Sequence, residues 1–100
     1  MYLYTIHCLI RTFRHRGLRR LHDRGDARRV PPDQRERIKI AIGYLDVASI
    51  PSDLDLPGYR LHPLKGPLAG FWSISITRNW RIVFRMDDGD AYEVDLVDYH

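Results

Sequence analysis

Hydrophobic residues between positions 33 and 49 recur with the period of an α-helix. They follow the spacing i, i+3, i+4, i+7 and i+10, which places them on one face. These residues are Ile38, Ala41, Ile42, Leu45 and Ala48. Asp33 stands where an N-cap is expected, and Glu36 follows three residues later as in a capping box. The pattern therefore predicts a helix with one buried face.

Two shorter elements are predicted before this helix. Ile10–His15 alternates apolar and polar residues, which is typical of a short strand. Gly17–Asp26 contains Leu18 and Leu21 three positions apart among several arginines, which indicates a short, very basic helix. The prolines at positions 31 and 32 separate the two helices.

The second half of the chain has the two-residue period of β-strands. Three runs each alternate apolar with mostly polar residues, and the Asp-Asp-Gly-Asp stretch between the last two runs is a hairpin signal. The apolar positions are Trp72, Ile74 and Ile76, then Ile82, Phe84 and Met86, then Tyr92, Val94 and Leu96. The pattern predicts an antiparallel meander with one apolar face.

Matching the apolar faces also suggests a register. It sets Ile76 opposite Ile82 and Ile74 opposite Phe84, so that Thr77 pairs with Arg81 across the three-residue loop 78–80. In the second hairpin it sets Phe84 opposite Val94, Met86 opposite Tyr92, and Arg85 opposite Glu93 as a cross-strand ion pair.

The predicted fold class is therefore α+β, with two N-terminal helices packed on one face of a small antiparallel sheet. If Tyr59–His62 is also a strand, Arg60 and His62 lie on the polar face of the sheet, and Lys65 follows in the next loop. The polar face then collects Ser73, Ser75, Thr77, Arg81, Arg85, Glu93, Asp95 and Tyr99 as well.

Length and composition indicate one soluble domain. The single cysteine, Cys8, cannot form an internal disulfide, and the N-terminus lacks the features of a signal peptide. No apolar run approaches the roughly 18 residues that span a bilayer. We therefore expect a cytoplasmic protein with no membrane partner.

The charge is uneven along the chain. Residues 1–50 hold 11 Lys and Arg against 5 Asp and Glu, whereas residues 51–100 hold 5 against 8. Most of these cations are arginines, whose planar guanidinium groups bind phosphate and carboxylate in a bidentate manner. The bias favours a polyanion or an acidic protein as the partner, although a solvated helix face would give the same pattern.

The polar face carries the residue types needed for RNA cleavage without a metal. The 2′-OH of RNA attacks its own phosphate when one group removes its proton and another protonates the leaving oxygen, and histidine suits either role. Arg and Lys stabilise the added negative charge. His62, Lys65 and Arg81, with His100 at the chain end, are the candidates. The histidine spacing suits no metal motif, so neither a metal nor a cofactor is expected.

Each of these residues also has an ordinary interpretation. His62 and Lys65 are then surface residues, Arg81 and Arg85 are ion-pair partners on the solvent face, and His100 belongs to a frayed terminus. These alternatives stay open on composition and spacing alone.

Longer stretches of the sequence resemble one family. "FRHRGL", "LPGYRLHPLKGPLAGFWSISITRNWRIVF" and "GDAYEVDLVDYH" occur in the order and spacing of the HigB toxins, the host-inhibition (plasmid maintenance killer) branch of the RelE/ParE superfamily. The resemblance covers about residues 10–100. It implies two N-terminal helices on a small antiparallel sheet, and a ribosome-dependent endonuclease that cuts mRNA in the A site.

The resemblance also implies partners. They are the ribosome with its mRNA and a HigA-like helix-turn-helix antitoxin, and operator DNA is bound only through the antitoxin complex. The arginines expected to contact RNA or the ribosome are Arg19, Arg20, Arg28, Arg29, Arg60, Arg78 and Arg85.

Carried over residue by residue, the resemblance marks a catalytic set. It consists of His62, Lys65, Arg81, Asp98, Tyr99 and His100. Lys65 matches a phosphate-binding lysine, Arg81 matches the arginine that stabilises the transition state, and His100 is the candidate general acid. Which histidine acts as the base and which as the acid does not follow from the sequence.

Two departures from the family pattern stand out. Some relatives carry a basic residue where this chain has Thr77, which leaves Arg78 as the candidate substitute. Family members usually begin with Met at the position of Leu9, and leucine codons such as TTG can initiate translation. Residues 1–9 are therefore either an extension or a product of start-site choice, and residues 10–100 are the single toxin domain.

Two other functions fit the same fold. One is a non-nuclease inhibitor of DNA gyrase, like the ParE branch, for which the His-Lys-Arg-His set would be dispensable. The other is an inactive toxin that serves only as an antitoxin-binding co-repressor.

Overall fold

Two helices precede a four-stranded antiparallel sheet in the computed structural model, which describes residues 9–98. The helices are α1 (Arg16–Arg24) and α2 (Arg35–Val47). The strands are β1 (His62–Pro63), β2 (Trp72–Ser75), β3 (Trp80–Asp87) and β4 (Asp90–Asp98), in the sheet order β1-β2-β3-β4. Cys8, Tyr99, His100 and most of the proposed extension 1–9 lie outside the described residues.

The core lies between the helices and one face of the sheet, as the sequence predicts. The α2 face with Ile38 and Leu45 is fully buried, and so are Ile82 and Phe84 on β3 and Val94 on β4. The α+β prediction is confirmed. Within residues 9–98, neither helix is long and apolar enough to cross a membrane.

The predicted start of α2 is wrong. A 3₁₀ turn, Pro32–Gln34, precedes the helix, and Gln34 stands at the cap position without a side-chain hydrogen bond. Pro32 begins this turn because its fixed φ suits the first position of a helical turn. Asp33 therefore lies inside the turn and does not act as the predicted N-cap.

Residues 10–14 run parallel to β4 without forming a continuous strand. The Arg11 amide donates to the Ala91 carbonyl at 2.7 Å, and the Val94 amide donates to the Thr12 carbonyl at 3.1 Å. A β-bulge at Glu93, whose φ is +54°, lies between these two contacts. The predicted Ile10–His15 strand is thus reduced to two isolated bridges on the edge of β4.

The predicted register of the first hairpin is off by two residues. Ile74 pairs with Ile82 rather than Phe84, and Ser75 pairs with Arg81. A two-residue slip keeps every side chain on its own face, so the hydrophobic pattern could not detect it. The turn decides the register: the Ile76 amide donates to the Trp80 carbonyl at 2.8 Å, closing the chain around residues 77–79.

The second hairpin follows the predicted register only on one side of the bulge. Ile82 pairs with Leu96, as matching of the apolar faces requires, but Met86 pairs with Ala91 and Arg85 pairs with Tyr92. The extra residue in β4 turns Tyr92 to the polar face, where the Arg85 guanidinium lies 4.7 Å from its ring centroid. The predicted Arg85–Glu93 ion pair is present at 2.8 Å.

The two helical glycines should respond in opposite ways to alanine. A Cβ at Gly17 would lie 2.7 Å from the Arg29 carbonyl oxygen, whereas a Cβ at Gly43 would meet nothing within 4 Å. Gly17→Ala should therefore lower the free energy of unfolding by about 1–3 kcal/mol through overpacking. Gly43→Ala should raise it by about 0.5–1 kcal/mol. Urea denaturation of both variants measures this, and equal effects would contradict it.

His22 should make stability depend on pH. Burial lowers its pKa, but hydrogen bonds to Asp23 (Nδ1–Oδ1 2.9 Å) and Asp46 (Nε2–Oδ1 3.1 Å), with the charges of both carboxylates, outweigh burial, so the pKa is raised. The ion pairs therefore stabilise the fold fully below about pH 6.5, and this contribution is lost as pH rises through the folded pKa.

The comparison with His22→Gln isolates this effect. The gap in melting temperature between the wild type and this variant should be largest in acid and shrink toward alkaline pH. His15 affects the pH dependence of stability in the opposite direction, because burial lowers its pKa and its Nδ1 accepts the Leu18 amide at 3.1 Å. The wild type and His22→Gln both contain His15, so its contribution cancels in the comparison. A gap that is constant with pH would rule out the charged His22.

Candidate functional site

β1 is much shorter than the predicted strand Tyr59–His62. His62 and Pro63 pair with β2 opposite Ser73 and Trp72, and the Tyr59 carbonyl accepts the Ser75 amide at 2.7 Å outside the strand. Arg60 interrupts the strand because its φ is +49°, in the left-handed region that non-glycine residues seldom adopt. The polar face therefore receives His62 as predicted, but from a two-residue strand that follows a backbone turn.

That turn fixes the imidazole of His62. Its Nδ1 lies 3.0 Å from the Arg60 carbonyl oxygen. A carbonyl only accepts hydrogen bonds, so Nδ1 carries the proton and donates it. In the neutral ring Nε2 then holds the lone pair, and the exposed His62 presents it to solvent. This tautomer suits a proton acceptor.

Lys65 is carried by the loop between β1 and β2. The Leu64 amide donates to the Phe71 carbonyl at 2.8 Å, and a 3₁₀ turn at Gly66–Leu68 folds the loop back. Gly66 has a φ of +66°, which a glycine adopts without strain. The loop therefore forms a wall beside the sheet, with Lys65 exposed on it.

His62, Lys65 and Arg81 line one cavity of about 310 Å³ on the face of the sheet away from the helices. We call it the His62 pocket. Its lining residues are His62, Leu64, Lys65, Leu68, Ser73, Arg81, Val83 and Val97. Three candidates that the sequence singled out, spread over residues 62–81, thus meet at one site.

The floor of the His62 pocket is less exposed to solvent than the sequence suggested. Val83 is 8% exposed and Ser73 is 1% exposed, although both lie on the face predicted to be polar. The Ser73 hydroxyl is buried and has no hydrogen-bond partner among residues 9–98. An apolar floor lowers the local dielectric, which strengthens the interaction of Lys65 and Arg81 with an anion.

Arg81 stands between this pocket and a second cavity. In β3 it pairs with Ser75 on one side and Val97 on the other, and its side chain is partly buried. The second cavity measures about 440 Å³, and we call it the arginine pocket. Its lining residues are Arg37, Gly58, Arg60, Ser75, Ile76, Thr77, Arg78 and Arg81.

The arginine pocket brings Arg60 and Arg78, both predicted RNA-binding residues, next to Arg81. It also adds Arg37 from α2, which the sequence analysis missed. The Arg37 guanidinium reaches the Ile76 carbonyl at 3.5 Å, across the hairpin turn. The helical pattern marks Arg37 only as an exposed position, and only tertiary packing brings it to the hairpin.

The other predicted RNA-binding arginines lie elsewhere. Arg19 and Arg20 line a separate cavity of about 240 Å³ along α1. Arg28 pairs with Asp26 at 3.0 Å, which holds the pKa of that carboxyl well below its usual range, and Arg29 is exposed. These side chains form a basic surface on α1 and the loop after it.

Arg85 shares the polar face but lines neither the His62 pocket nor the arginine pocket. Its Nε lies 2.8 Å from Glu93, and Arg14 contacts the other oxygen of Glu93 at 2.9 Å. Hydrogen bonds from Arg85 and then Arg14 lower the pKa of the Glu93 carboxyl. Two cations share one anion here, which matches the ordinary interpretation of Arg85 as an ion-pair partner.

The C-terminal candidates are described only in part. Asp98 is exposed at the end of β4 and pairs with Trp80 in the sheet, while Tyr99 and His100 lie outside the described residues. Alternation along β4 assigns Asp98 to the side of Leu96, opposite the face of Val97 and Arg81. Among residues 9–98 there is no group of three or more His, Cys, Asp or Glu arranged to hold a metal ion.

The site therefore combines three chemical capacities. A histidine held in one tautomer presents a basic nitrogen, two cations flank an apolar floor, and a second set of arginines extends the positive surface. Such a surface can bind a chain of phosphates and move a proton at one of them.

Two solved structures share this architecture. A YafQ mutant from E. coli superposes with a TM-score of 0.56 at 16% sequence identity, covering 89% of this chain and 92% of that chain. The YoeB/ParE toxin from Agrobacterium tumefaciens superposes with a TM-score of 0.50 at 27% identity, covering 72% and 79%. The fold is therefore the α+β toxin fold that the resemblance implied.

Sequence comparison identifies the family. Residues 11–100 match the family described as the RelE-like toxin of type II toxin-antitoxin system HigB. The chain is 40% identical over 92 residues to "Endoribonuclease HigB" of Proteus vulgaris, covering 92% of this chain and 100% of that protein. The chain belongs to the HigB family of type II toxins, and this membership implies an antitoxin partner.

Proposed function

We propose that this toxin is an endoribonuclease that cuts mRNA in the ribosomal A site and so stops translation. The observation that supports this most directly is the meeting of His62, Lys65 and Arg81 at one pocket, with the His62 tautomer fixed by Arg60. The name of the Proteus vulgaris relative supports the same activity.

In the proposed reaction His62 is the base. Its Nε2 takes the proton of the 2′-OH, the 2′-oxygen forms a bond to the adjacent phosphorus, and the bond from phosphorus to the 5′-oxygen breaks. A second group protonates that 5′-oxygen, and His100 is our candidate, with Tyr99 and Asp98 as its neighbours in the chain. The products are a 2′,3′-cyclic phosphate and a 5′-hydroxyl, and the proposed step uses protein side chains alone.

The two cations have separate tasks in this proposal. Lys65 lies in the loop, and its ammonium group, on a flexible side chain, binds a non-bridging oxygen of the scissile phosphate as a point charge. Arg81, held in β3 against the apolar floor, stabilises the charge that grows as phosphorus becomes five-coordinate.

The basic surface on α1 supports docking to the ribosome. Arg19, Arg20 and Arg29 can bind rRNA phosphates, whereas Arg28 already pairs with Asp26 and would have to bind a phosphate in addition. The proposed partners are the ribosome with its mRNA and a HigA-like helix-turn-helix antitoxin, through which operator DNA is bound. The site of action would be the cytoplasm, where ribosomes translate.

The test is cleavage of a short mRNA placed in the A site of programmed ribosomes by untagged protein, so that no added residues follow the candidate His100. A cut that depends on the ribosome and leaves a 2′,3′-cyclic phosphate is expected. Folded protein that makes no cut, yet arrests DNA synthesis before protein synthesis in cells, would instead establish a gyrase-type inhibitor. Protein that arrests neither DNA synthesis nor protein synthesis would instead be an inactive toxin that acts only as an antitoxin-binding co-repressor.

A further inference from the structure

Four arginines from four parts of the chain line the arginine pocket. Arg37 comes from α2, Arg60 from the turn before β1, Arg78 from the β2–β3 turn and Arg81 from β3. Arg37, Arg60 and Arg78 are exposed, and none of these three has a carboxylate partner among residues 9–98. The positive charges of Arg37, Arg60 and Arg78 therefore repel one another, and an anion bound in the pocket would offset that repulsion.

Other arginines of the protein show that acidic partners are not scarce. Arg11, Arg14, Arg28 and Arg85 each lie within 3.0 Å of a carboxylate oxygen. Within residues 9–98, Arg37, Arg60 and Arg78 differ from these four arginines in having no carboxylate at ion-pair distance, and they do so while lining one cavity.

The backbone at Arg60 is a second, independent sign of a functional constraint. A non-glycine residue with a φ of +49° costs free energy, and such residues cluster where the surrounding structure holds a side chain for a purpose. Here one conformation serves two pockets. It aims the Arg60 carbonyl at His62 Nδ1 and places the Arg60 side chain on the wall of the arginine pocket.

The two pockets are adjacent along the sheet. Arg81 lines both, and Ser73 of the His62 pocket is two residues from Ser75 of the arginine pocket along β2. Two residues of a strand span about 7 Å. The spacing of these two lining residues is close to one nucleotide step of extended RNA, so a single RNA strand can place neighbouring phosphates in the two pockets.

We propose that the arginine pocket binds the phosphodiester next to the scissile one, with Arg37 and Arg60 as RNA-binding residues. This inference rests on the proposed function. Guanidinium groups bind two phosphate oxygens at once, and the openness of the pocket to solvent lets the strand continue past it. The ligand is thus one flanking phosphate of the mRNA and not a separate small molecule.

The experiment removes the charge from the protein and from the RNA in turn. Arg37→Ala should lower kcat/KM for A-site cleavage by about ten- to a hundredfold, the size of one charge-assisted contact. The substrate is then given an uncharged methylphosphonate linkage on one side or the other of the cut. With the linkage on the side that the pocket binds, wild type should lose a similar factor, and Arg37→Ala should lose little more.

Lys39→Ala is the matched control. Lys39 lies on the same helix and is exposed, and its Nζ lies 3.5 Å from Glu36 Oε2. It lines neither pocket, so its loss should leave cleavage unchanged. Arg60→Asn is the second test variant. Asparagine tolerates the left-handed backbone, so this change removes the guanidinium while keeping the carbonyl that holds His62.

The outcomes separate the two proposals. If wild type does not cut even the unmodified mRNA, the proposed function fails and this inference fails with it. If wild type cuts but the loss from Arg37→Ala is undiminished with a neutral linkage on either side, only the arginine-pocket assignment is overturned. If Arg37→Ala instead weakens binding to ribosomes without mRNA by the same factor, Arg37 contacts rRNA, and the assignment is again wrong.

Discussion

Arg81→Ala is expected to lower the single-turnover rate of A-site mRNA cleavage by about a hundred- to a thousandfold. Removing one preorganised donor from a site where negative charge develops typically has an effect of this size. The position of Arg81 suits the proposed role, because Arg81 lies in the middle of the sheet between Ser75 and Val97 and two residues from the buried Val83. Substrate binding should change less than the rate, since the added charge exists only in the transition state.

Two further proteins make this result interpretable. Arg81→Lys keeps the positive charge but lacks the planar fork, so it should recover only part of the rate. Lys39→Ala loses one exposed cation and should cut like wild type. Circular dichroism and urea denaturation should show all three variants folded. A folded Arg81→Ala protein that cuts within about threefold of wild type would remove Arg81 from the catalytic set.

Most faces of the elements were predictable from the sequence, whereas the registers were predictable only for the part of the second hairpin beyond the bulge. Alternation assigns Ile74, Ile82 and Phe84 to the core, and all three are fully buried. Alternation is unchanged by a slip of two residues, so the Ile74–Ile82 pairing depends on the turn at residues 77–79. The bulge at Glu93 has no signal in the hydrophobic pattern, because it requires a glutamate in the left-handed region.

The candidate site was predictable to a similar extent. His62, Lys65 and Arg81 were singled out from the sequence and line one pocket. Two features depended on tertiary structure. Arg37 reaches the hairpin only because α2 packs across the sheet, and Val83 is buried on the outer face, where it lines the His62 pocket together with the loop after β1. The resemblance that marked the catalytic set also did not include Arg37.

His62→Ala should reduce the cleavage rate by about a hundred- to ten-thousandfold, which is the usual contribution of a general base. The reason is the fixed tautomer: Nδ1 donates to the Arg60 carbonyl at 3.0 Å, so Nε2 is the nitrogen that can accept the 2′-OH proton. His62 is exposed and outside the core, so the free energy of unfolding should change little. Single-turnover cleavage and urea denaturation measure the two effects.

His62→Asn distinguishes chemistry from local structure. An asparagine amide can still donate to the Arg60 carbonyl in place of Nδ1, but it cannot accept a proton near neutral pH. If His62 is the base, His62→Asn should be as slow as His62→Ala. Added imidazole should then speed up His62→Ala, whose truncated side chain leaves room for it, more than His62→Asn. If instead His62→Asn cuts almost as fast as wild type, the imidazole serves only to hold the Arg60 turn, and the base must be sought at Tyr99 or His100, beyond the end of β4.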